Sequence, residues 1–315
     1  VLSSLLKGIS RKGIIANEMT AVQATRGIDH LEGQPLPSEA VMLACATPDA
    51  TSAMFLRLCR YPTVGVTWLW ARLITPHGNW YLNENYLPCH NAATVLQAMS
   101  AEYRTVDGQT MCLWRRGARA EPSSCGVSAA MTMHREEQSG SGLDPVAASI
   151  RADFTPIRGY AGLIADRTEI VGRAHTEVST GDHSFAFDGF GQFHEQPQPA
   201  ARFVTPFTYA SLWGEKVSSV ALFTESLSGG YVSRGSQATR ANVFKISAPG
   251  ARRSFSLVQQ DAGRFEVVAH RVHQYFIPIY QRLWHGSFVT IEHDGERFAG
   301  MINDWREESL PYVTV

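Results

Sequence analysis

The sequence predicts an all-β protein built from two barrel or sandwich domains, and three observations carry that expectation. Short apolar or alternating runs recur from Val41 onward with turn residues between them. Two Asp-Gly pairs, Asp107-Gly108 and Asp294-Gly295, sit between such runs, and this dipeptide supplies the positive φ angles of a tight hairpin. Stretches with both helical period and helical length are nearly absent.

Ser3 to Gln23 has weak helical spacing at Leu5, Ile9, Ile14, Ile15 and Met19, which suits a short N-terminal helix or arm. Val41–Thr47, Met54–Arg60 and Val66–Ile74 then read as strands, broken at Pro48-Asp49 and Tyr61-Pro62. Arg57 and Arg72 interrupt apolar runs, which fits alternation across a strand and does not fit a buried helix. Asn91–Tyr103 is the one later stretch that admits a helix. Hairpins are expected at Glu102–Val106 with Gln109–Arg115, and at Ser287–His293 with Glu296–Asp304. The polar run Glu136–Asp144 reads as a loop or linker, so the domains are set at 1–150 and 151–315. Beyond it, Ala147–Phe154, Glu169–Val178, Phe203–Leu212, Lys216–Ser226, Ala241–Ser247, Arg253–Gln259 and Phe265–Val272 are all strand-like.

Composition narrows the function class. The chain has 315 residues, 44% of them hydrophobic, and a formal net charge of −1, so it lacks the basic excess of a nucleic-acid binder. Only Lys7, Lys12, Lys216 and Lys245 are lysines, a skew toward arginine that reads as genome composition and not as function. Five cysteines without C-x-x-C spacing suit free thiols in a reducing cytoplasm. No apolar run approaches the roughly 18 residues of a membrane span, and no signal peptide is read at the start.

Nucleotide-binding and serine-hydrolase signatures are absent. His194-Glu195-Gln196 opens like a zinc-protease helix but lacks the second histidine, and Pro197 opposes a helix there. The chemistry concentrates in Arg167–Tyr209, where Arg167, Glu169, His175, Glu177, Asp182, His183, Asp188, His194, Glu195, Gln196, Arg202 and Tyr209 are interleaved with phenylalanines. Ionisable groups among aromatics suit proton transfer to an apolar substrate, because burial shifts carboxylate pKa values toward neutrality. Asp182 and His183, His194, Glu195 and Tyr209 are the candidate catalytic groups, with Asp182 or Glu195 as proton donor. Trp68, Trp70, Phe185, Phe187, Phe193, Phe207, Trp213 and His285 are the candidate substrate wall. Gly181, Gly189 and Gly191 suggest a turn or bulge that lets Asp182 and His183 act together. A metal held by His183, His194 and Glu195 with His270, His273 or His285 is the weaker alternative, and none is assigned. Gly286, beside His285, is read as a turn or as a point where backbone approaches a ligand.

Gly181-Asp182-His183-Ser184-Phe185, placed in a second β segment after a first, resembles the Asp-His element of the hydroxyneurosporene synthase (carotenoid 1,2-hydratase)/AttH-like family. These are two-domain lipocalin-like proteins, and lipocalin-like Diels–Alderases and tocopherol cyclase share the architecture. Phe185 and Phe187 stand where relatives commonly carry a tryptophan, and His194-Glu195-Gln196 has no counterpart. The resemblance implies a hydratase, isomerase or cyclase that needs no cofactor and acts on an alkene of an isoprenoid or polyketide-like substrate. A pericyclase that folds a polyene, a carrier of an apolar ligand, and a carbohydrate-active β protein are the competing expectations. A small hydrophobic substrate is the implied partner, and a homodimer is compatible with the sequence.

Overall fold

A computed structural model describes residues 37–89, 100–104, 111–115, 125–136, 145–161, 167–199, 202–203, 205–225, 228–235, 237–259, 263–279 and 282–309. Strands of the first half are β1 (Ser38–Ala46), β2 (Ala53–Tyr61), β3 (Val66–Thr75), β4 (Gly78–Pro88), β5 (Ser100–Arg104), β6 (Met111–Arg115), β7 (Cys125–Arg135), β8 (Val146–Ala161), β9 (Thr168–Thr180) and β10 (His183–Gln198). The second half supplies β11 (Phe207–Trp213), β12 (Val217–Thr224), β13 (Ser228–Arg234), β14 (Gln237–Ile246), β15 (Arg252–Gln259), β16 (Gly263–Ile279), β17 (Arg282–His293) and β18 (Glu296–Ser309). The expected N-terminal helix or arm, the Asp107-Gly108 turn and most of the Glu136–Asp144 linker lie outside the described residues. The last residues of the Asn91–Tyr103 stretch are strand β5 and not helix.

β1 to β10 form one antiparallel sheet in the order β4-β3-β2-β1-β10-β9-β8-β7-β6-β5. Pairing of Trp80 and Tyr81 with Arg135 and His134 joins β4 to β7 and folds that sheet back on itself. β11 to β18 form a closed barrel, with β11 paired to both β12 and β18. Closure removes the unpaired edges that would otherwise recruit other strands. The division expected at 150/151 falls inside β8. Hydrogen bonding passes from the sheet to the barrel between Gln198 and Phe207.

Alternation along the strands builds three cores. Leu43, Leu56, Leu69, Met131, Ile150, Phe154 and Phe193 fill the inside of the first sheet. Leu212, Ala221, Val232, Leu257, Phe265, Val267 and Ile291 fill the barrel. The opposite faces of β1, β2 and β3 meet the outside of the barrel in a third core, with Phe55, Trp68 and Trp70 against Tyr275, Trp284 and Trp305. This double burial explains why β1 and β2 are buried at every position, including the polar Ser38, Glu39, Arg57 and Arg60 that interrupt their apolar runs.

Polar clamps tie the two bodies at backbone level. Arg72 donates to the Phe276 carbonyl at 2.6 Å and Asn85 to the Pro278 carbonyl at 2.6 Å. Arg158 donates to the Glu215 carbonyl at 2.5 Å and to Ser218 Oγ at 3.2 Å.

The Asp294-Gly295 hairpin forms as the sequence predicts, with φ of 50° and 74°. Gly189 and Gly191 do not make a bulge. They sit in regular pairing, where an added Cβ would lie 2.1 Å from the carbonyl oxygens of Ala46 and Ala44. Gly286 is likewise neither turn nor ligand contact: it lies in β17 opposite Tyr275, whose ring covers it, and a Cβ there would come within 2.0 Å of that ring. Gly286→Ala should therefore displace Tyr275 from the inter-barrel core. Urea denaturation should show a loss of about 1–3 kcal/mol, as for other overpacked cores.

Candidate functional site

The candidate site is a cavity of about 210 Å³ where the outer faces of the two β bodies meet. β1 and β2 contribute Met42 and Arg57, and β10 contributes His194, Gln196 and Gln198. The barrel contributes Phe207 and Tyr209 from β11, Leu222 and Thr224 from β12, Trp284 from β17 and Asn303 from β18. Arg167 precedes β9, and Arg202, Phe203 and Thr205 come from the segment that joins the two bodies. Thr205 is exposed, so the mouth lies on that side.

Phe203 organises the apolar wall. Its backbone is left-handed, at φ 61°, which is costly for a bulky residue. Its ring packs within 6.0 Å of Trp68, Trp70, Phe207, Trp284 and Trp305, and that packing holds the conformation. Trp68 and Trp70 thus support the cavity from behind and do not line it.

Beneath the cavity, Glu169 is 2% exposed and accepts hydrogen bonds from Tyr209 (2.8 Å) and Tyr231 (2.7 Å) across the interface. Arg167 adds a contact to the same carboxylate at 3.3 Å, and its guanidinium lies 4.7 Å from the Tyr209 ring centre. Gln192 donates to the Tyr209 hydroxyl at 2.8 Å. Burial, then the Glu169 charge, holds the Tyr209 phenol well above its usual range, so it stays protonated.

His194 is 2% exposed, and neither ring nitrogen has a hydrogen-bond partner among the described residues. Its ring stands edge-on to Tyr209 at 6.4 Å. Burial, reinforced by Arg167, Arg57 and Arg202, pushes its pKa well below the ordinary 6.5, so the imidazole is neutral at physiological pH. A neutral imidazole keeps one nitrogen lone pair free to accept a proton, but with its pKa held this low it is a weak base unless negative charge arrives beside it to offset the guanidiniums.

Three guanidiniums surround this base. Arg202 is tied to Ser38 Oγ at 2.8 Å and to Gln196 Oε1 at 3.0 Å, and Arg167 donates to the same Gln196 oxygen at 2.7 Å. Arg57 is different. It is 6% exposed and lies 5.3–5.8 Å from the ring centres of Trp284, Trp70 and Phe203, with no hydrogen bond or carboxylate partner among the described residues. Burial, then Arg202, lowers its pKa to about 10, still far above neutrality.

Of the expected catalytic groups, the structure brings His194 and Tyr209 together and separates the others. Asp182 and His183 are exposed at the β9–β10 turn, where His183 stacks on His77 at 4.8 Å. At about 3.3 Å per residue they stand roughly 35 Å along β10 from His194. Glu195 is buried but shares the face of β10 that carries Phe193 into the first sheet, away from the cavity. Phe185 and Phe187 pack on that face too, while Trp213 is held in the interface by Ser211 at 2.6 Å. His285 faces away from its neighbour Trp284, against Phe276 at 5.0 Å. Phe207 alone of the expected aromatic wall lines the cavity. The alternative metal set is likewise dispersed, since His183 sits at the far end of the strand and His194 and Glu195 point to opposite faces.

Arg167, Glu169 and Arg202 lie in the dense region picked out by sequence. Arg57, Tyr231 and Trp284 lie outside it, and only the interruption of an apolar run marked Arg57.

No protein family's sequence profile and no curated protein matches the chain. Among solved structures, a putative AttH (NE1406) from Nitrosomonas europaea is similar at a TM-score of 0.55 and 7% identity, over 87% of this chain and 93% of that one. CghA with Sch210972 is similar at a TM-score of 0.53 and 8% identity, over 86% and 89%. The AttH-like fold expected from the sequence is therefore the fold observed.

Two outcomes follow from the site's burial. Glu169→Ala leaves Arg167 uncompensated and should cost about 3–5 kcal/mol, whereas exposed Asp182→Ala should change stability by under about 0.5 kcal/mol in urea titrations. Folded His194 binds fewer protons than unfolded His194 below pH 6.5. Its contribution is therefore present above that pH and lost as pH falls through it, by up to about 1.4 kcal/mol per pH unit. His194→Gln should lose less stability than wild type between about pH 7.5 and about pH 5.5.

Proposed function

We propose that this chain is an acid–base enzyme, independent of any cofactor, that acts on an apolar substrate in the inter-barrel cavity, with His194 as the proton-transferring group. The observation that carries the reading is the buried, neutral imidazole of His194, both ring nitrogens unpartnered among the described residues, set in the wall of a cavity that it shares with Phe203, Phe207 and Trp284. A carrier of apolar ligands needs no such group, and leaving it unsatisfied is costly.

Charge selects among the reactions open to a hydratase, isomerase or cyclase. Direct protonation of an isolated alkene creates a carbocation, and three guanidiniums around the cavity oppose it. They favour instead the negative charge that develops on oxygen when a proton leaves the carbon beside a carbonyl. The supported substrate is thus an isoprenoid or polyketide-like carbonyl compound whose acidic C–H lies between the carbonyl and an alkene, or at the far end of an alkene conjugated to the carbonyl. His194 takes the proton from carbon, the guanidiniums stabilise the enolate, and the proton returns at a different carbon to complete an isomerisation. Water addition to the polarised alkene uses the same groups. Tyr209, fixed by Glu169 and Gln192, orients the substrate and is not the acid.

The arginines also favour a second reading, a pericyclase. Donors that polarise a carbonyl activate the attached alkene toward cycloaddition, and the aromatic wall would fold the polyene. That reaction needs the wall and the arginines but not the imidazole.

Deuterium uptake from D2O into β-ionone and benzoylacetone, followed by mass spectrometry, separates the two. Wild type should accelerate uptake over buffer, and His194→Ala should lose about 10²–10⁴-fold of that acceleration. No acceleration with either probe, or full acceleration by His194→Ala, would overturn the acid–base reading.

A further inference from the structure

We infer that the cavity is a receptor for a delocalised oxyanion, a carboxylate or an enolised 1,3-dicarbonyl, carried on an otherwise apolar molecule, and that Arg57 is the residue that receives it. This deepens the proposed function, because it rests on the same cavity and specifies the substrate's polar end.

The first argument is charge balance. Arg57, Arg167 and Arg202 all line the cavity. Glu169 is the carboxylate that meets one of them, and it is already engaged by Arg167, Tyr209 and Tyr231. Among the described residues, two positive charges are left to face a half-open space with aromatic walls. Charges in such places are ordinarily paired, because desolvation is expensive.

The second argument is the hydrogen-bond inventory. Arg57 makes no hydrogen bond among the described residues, and Arg57 Nε, Arg167 Nε and Trp284 Nε1 are buried donors without acceptors. Among the described residues the acceptors at this wall are fewer: Gln196 Oε1 is already taken by Arg167 and Arg202, and the neutral His194 ring offers one open nitrogen against one open N–H. Donors therefore outnumber acceptors at the wall, and the deficit is met by a group that brings oxygens and negative charge. A planar guanidinium suits both oxygens of a carboxylate or a chelating dicarbonyl enolate, and it is the residue type favoured for buried ion pairs.

The third argument concerns placement. The Arg57 guanidinium is caged by Trp70, Phe203 and Trp284 and not by other polar groups. Aromatic faces hold the cation in position without neutralising it. They also provide the apolar surface against which the body of the ligand lies once its oxygens are paired.

Isothermal titration with 4-phenylbutyrate and the isosteric alcohol 4-phenylbutanol tests the charge requirement. Absorbance spectra of benzoylacetone with and without protein test for enolate capture. The carboxylate should bind at least about tenfold tighter than the alcohol, or the protein should enrich the enolate band, and Arg57→Met should abolish whichever preference is seen. Arg57→Lys, which keeps the charge and guards against a folding defect in the Met variant, should retain part of it. Capture of the carboxylate alone or of the enolate alone identifies the head group. Equal binding of acid and alcohol with no enolate enrichment overturns the inference, as does an undiminished preference in folded Arg57→Met. His194→Ala should keep the preference while losing deuterium exchange, so failure of the acid–base reading and failure of this one are read separately.

Discussion

The carboxylate of Glu169 is held between two barrels by hydroxyls that both come from the second one, Tyr209 on β11 and Tyr231 on β13. A buried charge in this position demands that its donors arrive at fixed points, since a missed hydrogen bond leaves an uncompensated ion in low dielectric. Its value is thus one of specification more than of net stability: it sets how the barrel sits against the sheet. Once Tyr209 is fixed, the ring edge beside His194 and the wall beneath Arg167 are fixed as well.

The location of the cavity follows from how the three cores are filled. Inside each β body, inward-facing branched and aromatic side chains gather into one buried apolar cluster, as in other small barrels. The outer faces meet through large rings, Trp70, Phe203, Trp284 and Trp305, and the cavity lies beside them. The space left over is lined by whatever polar groups the interface strands place there. Those groups include one imidazole and three guanidiniums beside neutral amides and hydroxyls, so the cavity combines an apolar wall with an excess of positive charge. That combination links the proposed proton transfer to the proposed oxyanion receptor, because a base and a store of positive charge serve the same enolate.

Much of this molecule was legible from local pattern. Two-residue alternation located the strands, and Asp294-Gly295 gave its hairpin, because both signals depend on residues a few positions apart. The concentration of ionisable groups in Arg167–Tyr209 includes Arg167, His194, Arg202 and Tyr209, which line the cavity, and of the five expected catalytic groups His194 and Tyr209 are the two found there. The resemblance carried by Gly181 to Phe185 led to the observed fold, yet those residues mark an exposed turn and not the cavity. The arginine skew, read as composition, concealed the three guanidiniums that dominate the site.

The segment Asp182–Gln196 shows where the sequence stops. By itself the sequence determined that this is a strand-rich stretch loaded with acids, histidines and aromatics, since composition and period are properties of the chain alone. Only the tertiary structure decided that it is one extended strand, β10, with Asp182 in solvent at one end and His194 buried at the other. An extended chain separates residues that are close in sequence and turns adjacent ones, such as His194 and Glu195, to opposite faces. It joins instead residues from β2, β9, β10, β11 and β17 that share no local pattern. Their meeting is set by how the outer faces of the two β bodies pack.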